Sequence, residues 1–201
     1  MTRPNSTFGL RQTAASDRIW RTGQSIDNRS FTQCAWIHLR SRAGNTATIL
    51  AVNAAASGFY TEIGTLAAPL QFYNDTTGFV NVGVDYDSTP DRWVFLAQTS
   101  SAAAHKCYVF DNGHFQEFAN SSPAPALTMT EYGWLNETDN QAADGEAACM
   151  RFWNRPLTAA ELRVEMLSMD AVSRRGLLCE DRKSTRLNSS HLGISRMPSS
   201  A

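Results

Sequence analysis

Asn136, Glu137, Asp139, Asn140 and Asp144 bring five oxygen-bearing side chains into one short polar stretch. Carboxylate and amide oxygens are the donors that a hard cation such as calcium takes, about six to eight at a time. Asn136, Asp139 and Asp144 are the candidate calcium ligands, and the competing reading is a loop that is acidic for solubility alone. Tyr132, Trp134 and Trp153 are the candidate ligand-binding residues, because an aromatic face beside polar groups suits a sugar ring. Core packing competes for each of the three. Asp85 and Asp87 share the polar face of a predicted strand, the nearest approach in the chain to the paired carboxylates of glycoside hydrolysis. A Pro-containing turn follows them directly, which reads the pair as a solvated strand end, so no catalytic residue is assigned. His38, His105 and His114 stand singly, without the spacing of a metal cluster. Cys34, Cys107, Cys149 and Cys179 lack C-x-x-C spacing and read as buried, reduced small hydrophobes; pairing into disulfides would require export.

The elements that must position these residues are legible around Gly145–Met166. From Ala147 to Trp153, Met150 and Phe152 alternate with Cys149, Arg151 and Trp153, the period of a strand with one face on a core. Asn154-Arg155-Pro156 stops that strand, since Pro156 has no amide to give a ladder. Thr158-Ala-Ala-Glu161 spells a capping box, so a short helix begins there. Leu162, Val164, Met166 and Leu167 form its predicted apolar stripe. Upstream, Phe31, Ala35, Ile37 and Leu39 share one face of a strand, with Cys34, Trp36 and His38 on the other, both faces at least partly covered. Phe79 to Tyr86 alternates as a further strand. Cys107–Phe110 and His114–Phe118 flank Asp111-Asn112-Gly113, where the Asn-Gly pair tolerates the positive φ of a tight hairpin. Ten or more short strands with frequent turns and one late helix predict an antiparallel sandwich.

The run Gly145-Glu-Ala-Ala-Cys-Met-Arg-Phe-Trp-Asn-Arg-Pro-Leu-Thr-Ala-Ala-Glu-Leu162 resembles the closing signature of the concanavalin A-like lectin/glucanase superfamily in its laminin-G-like branch. Phe31-Thr-Gln-Cys-Ala-Trp36 is similar to that branch's early strand, Tyr108-Val-Phe-Asp-Asn-Gly113 to its hairpin, and Trp93-Val-Phe-Leu-Ala97 stands where the family writes an aromatic strand. The resemblance covers roughly residues 17 to 170. It implies an all-β, antiparallel jelly-roll β-sandwich with one short C-terminal helix. It also implies a non-catalytic recognition or adhesion module that binds carbohydrate or a protein surface within a larger secreted, cell-surface or virion-associated protein. A structural module of a phage or surface assembly, and a glucanase-type glycan hydrolase, are the alternatives. The hydrolase reading would want an E-x-D-x-E strand, which the chain does not write. Relatives that bind calcium do so through acidic edge loops, although the acidic pair common in the closing strand is replaced here by Ala148 and Cys149.

A chain of 201 residues suits one well-buried domain. The expected divisions are an N-terminal arm at 1–16, the jelly roll at 17–180, truncated at its C-terminal end, and a tail at 181–201. That tail holds six serines and no aromatic residue. Asp181–His191 back-translates in one frame to a widely used short-read sequencing adapter, so the tail reads as an assembly artefact and is set aside from the fold. Basic and acidic residues balance at 18 against 19, with no cationic run to track a phosphate backbone; nucleic acid is excluded as a partner. No apolar run approaches the length of a membrane span, and the opening Met1-Thr-Arg-Pro-Asn-Ser6 lacks the apolar core of a secretory signal.

Overall fold

The computed structural model describes residues 10–12, 19–42, 47–54, 57–63, 70–74, 78–81, 92–120, 126–135 and 143–181. In chain order these form β1 (Leu10–Gln12), β2 (Ile19–Arg21), β3 (Ile26–Asp27), β4 (Phe31–Arg42), β5 (Ala47–Ala54), β6 (Ser57–Ile63), β7 (Leu70–Asn74), β8 (Gly78–Asn81), β9 (Trp93–Ser100), β10 (His105–Asp111), β11 (His114–Asn120), β12 (Thr128–Met129), β13 (Glu131–Trp134), β14 (Ala143–Trp153), α1 (Ala159–Leu167) and β15 (Leu177–Asp181). All pairings are antiparallel. Sheet A runs β1-β14-β4-β9-β10-β11, and sheet B runs β2-β13-β5-β6-β7-β8, with β3 and β12 as a separate two-stranded ribbon. This is the antiparallel sandwich with one short late helix that the strand and turn pattern predicts.

Alternation decides the layering. Phe31, Ala35 and Ile37 of β4, Val94 and Leu96 of β9, and Cys107 and Val109 of β10 face sheet B and meet Leu50, Val52, Phe72, Tyr132 and Trp134 in the inter-sheet core. The intervening Cys34, Trp36, Phe95, Ala97, Tyr108 and Phe110 point outward from sheet A, where Leu157, Leu162, Met166 and Ala171 cover them. The helix therefore lies on the outer face of sheet A, and both faces of that sheet are buried, as the apolar character of both faces of β4 predicts.

β14 departs from simple alternation. Ala147 and Met150 both reach the inter-sheet core, while Ala148 and Cys149 both face the helix. The register against β4 slips between Ala148 and Arg151, and Cys149 takes φ 53°. One extra residue is inserted at this bulge, which resets the phase of the strand. Phe152 then stacks on Tyr132 at 4.0 Å and on Phe31 at 5.9 Å between ring centroids.

The corner after β14 closes on hydrogen bonds. Thr32 Oγ1 donates to Arg155 O and accepts from Leu157 N, each at 2.8 Å. Gly176, at φ 75°, leaves no room for a Cβ, which would stand 2.6 Å from Asn154 Oδ1. Thr158 caps α1 as a capping box, accepting from Glu161 N at 3.2 Å while its own amide donates to Glu161 Oε2 at 2.8 Å. The apolar stripe of α1 is narrower than predicted: Leu162 and Met166 are buried, but Val164 and Leu167 are exposed, and Glu165 takes the remaining inward position.

Two boundaries differ from the expected ones. β1 falls within residues 1–16, yet it pairs with β14 through Leu10↔Ala147, Arg11↔Glu146 and Gln12↔Gly145, so part of the expected arm is a strand of sheet A. The segment after α1 returns as β15 along the same edge of β14, from Met150↔Asp181 to Trp153↔Leu177. Asp181 thus ends a strand rather than opening a tail. Residues 182–201 lie outside the described residues.

Candidate functional site

The sequence-predicted aromatic candidates are core residues. Tyr132, Trp134 and Trp153 are 2%, 1% and 0% exposed, because β13 turns its even positions toward sheet A and Trp153 lies beneath the segment that follows α1. Trp134 Nε1 donates to Cys34 O at 3.3 Å and Trp153 Nε1 to Ser173 O at 2.6 Å. None of the three rings presents a face to a sugar. Asn136 and Asp139 lie outside the described residues, as do Asp85 and Asp87. Asp144 stands near the start of β14, its backbone paired with Ser41. Among the described residues no three of His, Cys, Asp and Glu come together as metal ligands. All four cysteines are buried thiols; burial pushes the Cys34 thiol up to about 12 and Cys107 well above its usual range. His105, buried on β10, is pushed down to about 3 by the same desolvation.

The residues between Tyr132 and Trp134 define the other face of sheet B. Tyr132 and Trp134 point into the core, so Glu131 and Gly133 face outward. Residues directly opposite in an antiparallel ladder share a face, and the register extends this row across six strands. Trp20 of β2 pairs with Gly133, Gly133 with Ala51 of β5, Ala51 with Tyr60 of β6, Tyr60 with Tyr73 of β7, and Tyr73 with Phe79 of β8. Gly133 and Ala51, the two small residues of this row, are buried. The row spans five strand spacings, about 24 Å. Sheet A has its outer face under α1, whereas among the described residues no helix lies on this face of sheet B. One row away Glu131 pairs with Asn53, and Asn53 with Gly58; Glu131 is half-buried and Asn53 buried.

A second mixed aromatic and polar row marks the end of sheet A. The register sets Glu146, His38 and Trp93 side by side on β14, β4 and β9, with the His38 and Trp93 rings stacked at 5.4 Å. Beside them Arg92 makes two hydrogen bonds to Asp111, at 2.8 and 2.7 Å. Farther along, Arg163 of α1 stands 4.7 Å over the Phe115 ring. This row abuts the helix-covered layer, and His38 and Trp93 are half-buried.

The residues of the sheet B row are ones that sequence patterning passes over. Gly133 and Ala51 carry no chemistry, and Trp20, Tyr60 and Tyr73 read as ordinary strand aromatics. Only the pairing of β13 with strands some hundred positions away sets them in one row.

A family model described as the concanavalin A-like lectin/glucanases superfamily matches residues 14–163. No curated protein matches the sequence. Among solved structures, the enzymatically active domain of tailspike protein 2 from bacteriophage CBA120 superposes with a TM-score of 0.67 at 9% identity, covering 88% of this chain and 30% of that one. The full extracellular region of zebrafish Gpr126/Adgrg6 gives 0.62 at 19% identity, covering 88% and 24%. Domain 4 of AbnA, an extracellular arabinanase of Geobacillus stearothermophilus, in complex with arabinotriose, gives 0.57 at 12% identity, covering 76% and 74%. The chain spans under a third of the tailspike and receptor chains. At these identities the likeness is one of fold, and the fold serves enzymatically active and sugar-bound domains alike. No helix among the described residues is long and apolar enough to cross a membrane.

Proposed function

We propose, for a chain that belongs to the concanavalin A-like lectin/glucanases superfamily, a lectin-like recognition role without catalysis. The observation that carries this reading is the two-sheet antiparallel sandwich that residues 14–163 share with that superfamily. The arabinotriose held by the AbnA domain supports carbohydrate as the ligand class. The extracellular and phage settings of the other two structures support a place within a larger secreted, cell-surface or virion-associated protein.

Affinity electrophoresis through gels containing soluble β-glucan, arabinan or xylan tests the reading. The protein is expected to be retarded by at least one polysaccharide; migration as in an empty gel with all three would refute the reading. Release of reducing ends from the retained polysaccharide would replace binding with catalysis.

A further inference from the structure

We propose that the outer edge of sheet A, formed by β15 and the segment that follows α1, is a contact surface for a second copy of this chain, with the two β15 strands antiparallel across a two-fold axis. β15 pairs with β14 and with no other described strand, so one side of it is an open sheet edge. Natural folds blunt such an edge with charge, with proline or with a bulge that twists it away. Here the register passes from Phe152↔Cys179 to Trp153↔Leu177, which makes Leu178 the extra residue of a bulge. A bulge re-aims its side chain, and Leu178 is left 45% exposed.

Leu178 has apolar company. Of the six large apolar side chains exposed among the described residues, five fall between positions 164 and 178: Val164, Leu167, Met169, Val172 and Leu178. Three of these line the β15 edge. The Glu180 carboxylate accepts from Ala171 N and from the Arg174 guanidinium, which holds Val172, 55% exposed, along the strand. Met169 is 52% exposed, and its Sδ lies 4.0 Å from Cys149 Sγ, next to the Met150 that pairs with the end of β15. Single exposed apolar residues need no explanation, whereas a set gathered at one edge marks an interaction site. Residues 159–181 also hold three arginines and no lysine, and protein interfaces favour arginine and methionine over lysine.

The order of charge along this segment says what covers it. Arg174-Arg175-Gly-Leu-Leu178-Cys-Glu180-Asp181 runs from two cations through an apolar middle to two anions. The cations sit on a turn at the start of the strand, closed by Leu177 N on Arg174 O, and Arg175 is exposed there. A segment of that polarity is complementary to itself reversed. With Leu178 set against Leu178 of the second copy, Arg175 of each chain comes opposite Asp181 of the other. The contact uses the same patch on both chains and closes as a two-fold dimer. An anionic membrane surface would answer the arginines but would meet Glu180 and Asp181 with like charge, which works against binding.

Sedimentation velocity of the full chain, from micromolar to submillimolar concentration, tests the proposal. A reversible shift from monomer to dimer is expected as concentration rises. Leu178→Lys is expected to abolish the dimer, and Arg175→Glu to weaken it about tenfold by setting like charges opposite. Asp181→Lys added to Arg175→Glu should restore it, because the swap rebuilds both charge pairs. Leu178 and Arg175 are exposed, so both single variants should melt with wild type; should Leu178→Lys lower the melting temperature, the charge swap alone decides. A chain that stays monomeric throughout, a dimer indifferent to Leu178→Lys, or a double variant no stronger than Arg175→Glu alone overturns the proposal. Flotation of the chain with phosphatidylserine vesicles, in the absence of a dimer in solution, would make this edge a membrane contact and overturn it equally.

Discussion

Replacing Arg151 by Met tests how α1 is held to sheet A. Arg151 and Glu165 are both fully buried, and their charged groups meet at 2.8 Å. The guanidinium also donates to Glu165 O at 2.8 Å and to Ser168 O at 2.6 Å, at the end of the helix, where carbonyls run short of intrahelical donors and Glu165 O otherwise has the Ser168 amide at 3.2 Å. Trp36 Nε1 serves a third, Met166 O, at 3.0 Å. On the other side the Glu165 carboxylate accepts the amides of Val172 and Ser173, which fold the following segment over Trp153. Arg151→Met keeps most of the apolar stem and removes the charge. It leaves the Glu165 carboxylate in the core with only backbone amides, and Ser168 O without its donor. Breaking one side of a buried pair costs about 3 to 5 kcal/mol, a fall of roughly 6 to 20 °C in Tm for a chain of this size. Adding Glu165→Met should return part of that loss, because the stranded carboxylate goes with it; the two changes are expected to couple by about 1 to 3 kcal/mol. Urea unfolding of wild type, both single variants and the double variant measures the cycle. A single-variant loss under about 1 kcal/mol, or strict additivity, would refute the account of the ion pair as the clasp between helix and sheet.

Phe152→Ala, which empties the ring stack between Phe31 and Tyr132, is expected to cost roughly 3 to 5 kcal/mol in the same unfolding assay. Thr158→Ala should cost about 1 kcal/mol through loss of the cap. The hydrogen bond from Arg155, with help from Thr158, lowers the Glu161 carboxyl from its ordinary 4.5 to about 2. That contribution is present above pH 4.5 and lost as pH falls through about 2, so melts of Glu161→Gln and wild type should converge at the acid end. With every cysteine buried and Cys34 and Cys107 pushed up by burial, a thiol reagent should label the native chain slowly at pH 8 and the unfolded chain at once. Ending the chain after Asp181 should leave Tm unchanged, whereas ending it after Gly176 removes β15 with Cys179 and Glu180 and should lower Tm clearly.

Local chemistry was the readable part. The Asn112-Gly113 hairpin appears with φ of 48° and 86°, because an Asn-Gly pair is selected by the turn itself. The capping box at Thr158 depends on residues three apart and forms as written. The bulge at Cys149 was hidden, since a cysteine with positive φ carries no local signature and the strand pattern on either side of it looks regular. β1 was hidden for a related reason: three residues have no period, and their partner lies in β14, more than 130 positions away. The aromatic candidates failed on phase. Tyr132 and Trp134 sit two apart, so they had to share a face, but the composition of β13 does not say whether that face is the core or the surface.

That ambiguity resolves once the partners of β13 are known. With Tyr132 and Trp134 committed to the core, Gly133 between them is forced to the other face, where the register sets it between Ala51 and Trp20. Gly133 and Ala51 are buried there too, so the strand is covered on both faces, and a strand covered on both faces shows no alternation of apolar and polar residues from which its phase could be read. Sheet A follows the same rule: it carries apolar residues on both faces and spends its outer one on α1 through Trp36, Trp153 and Arg151.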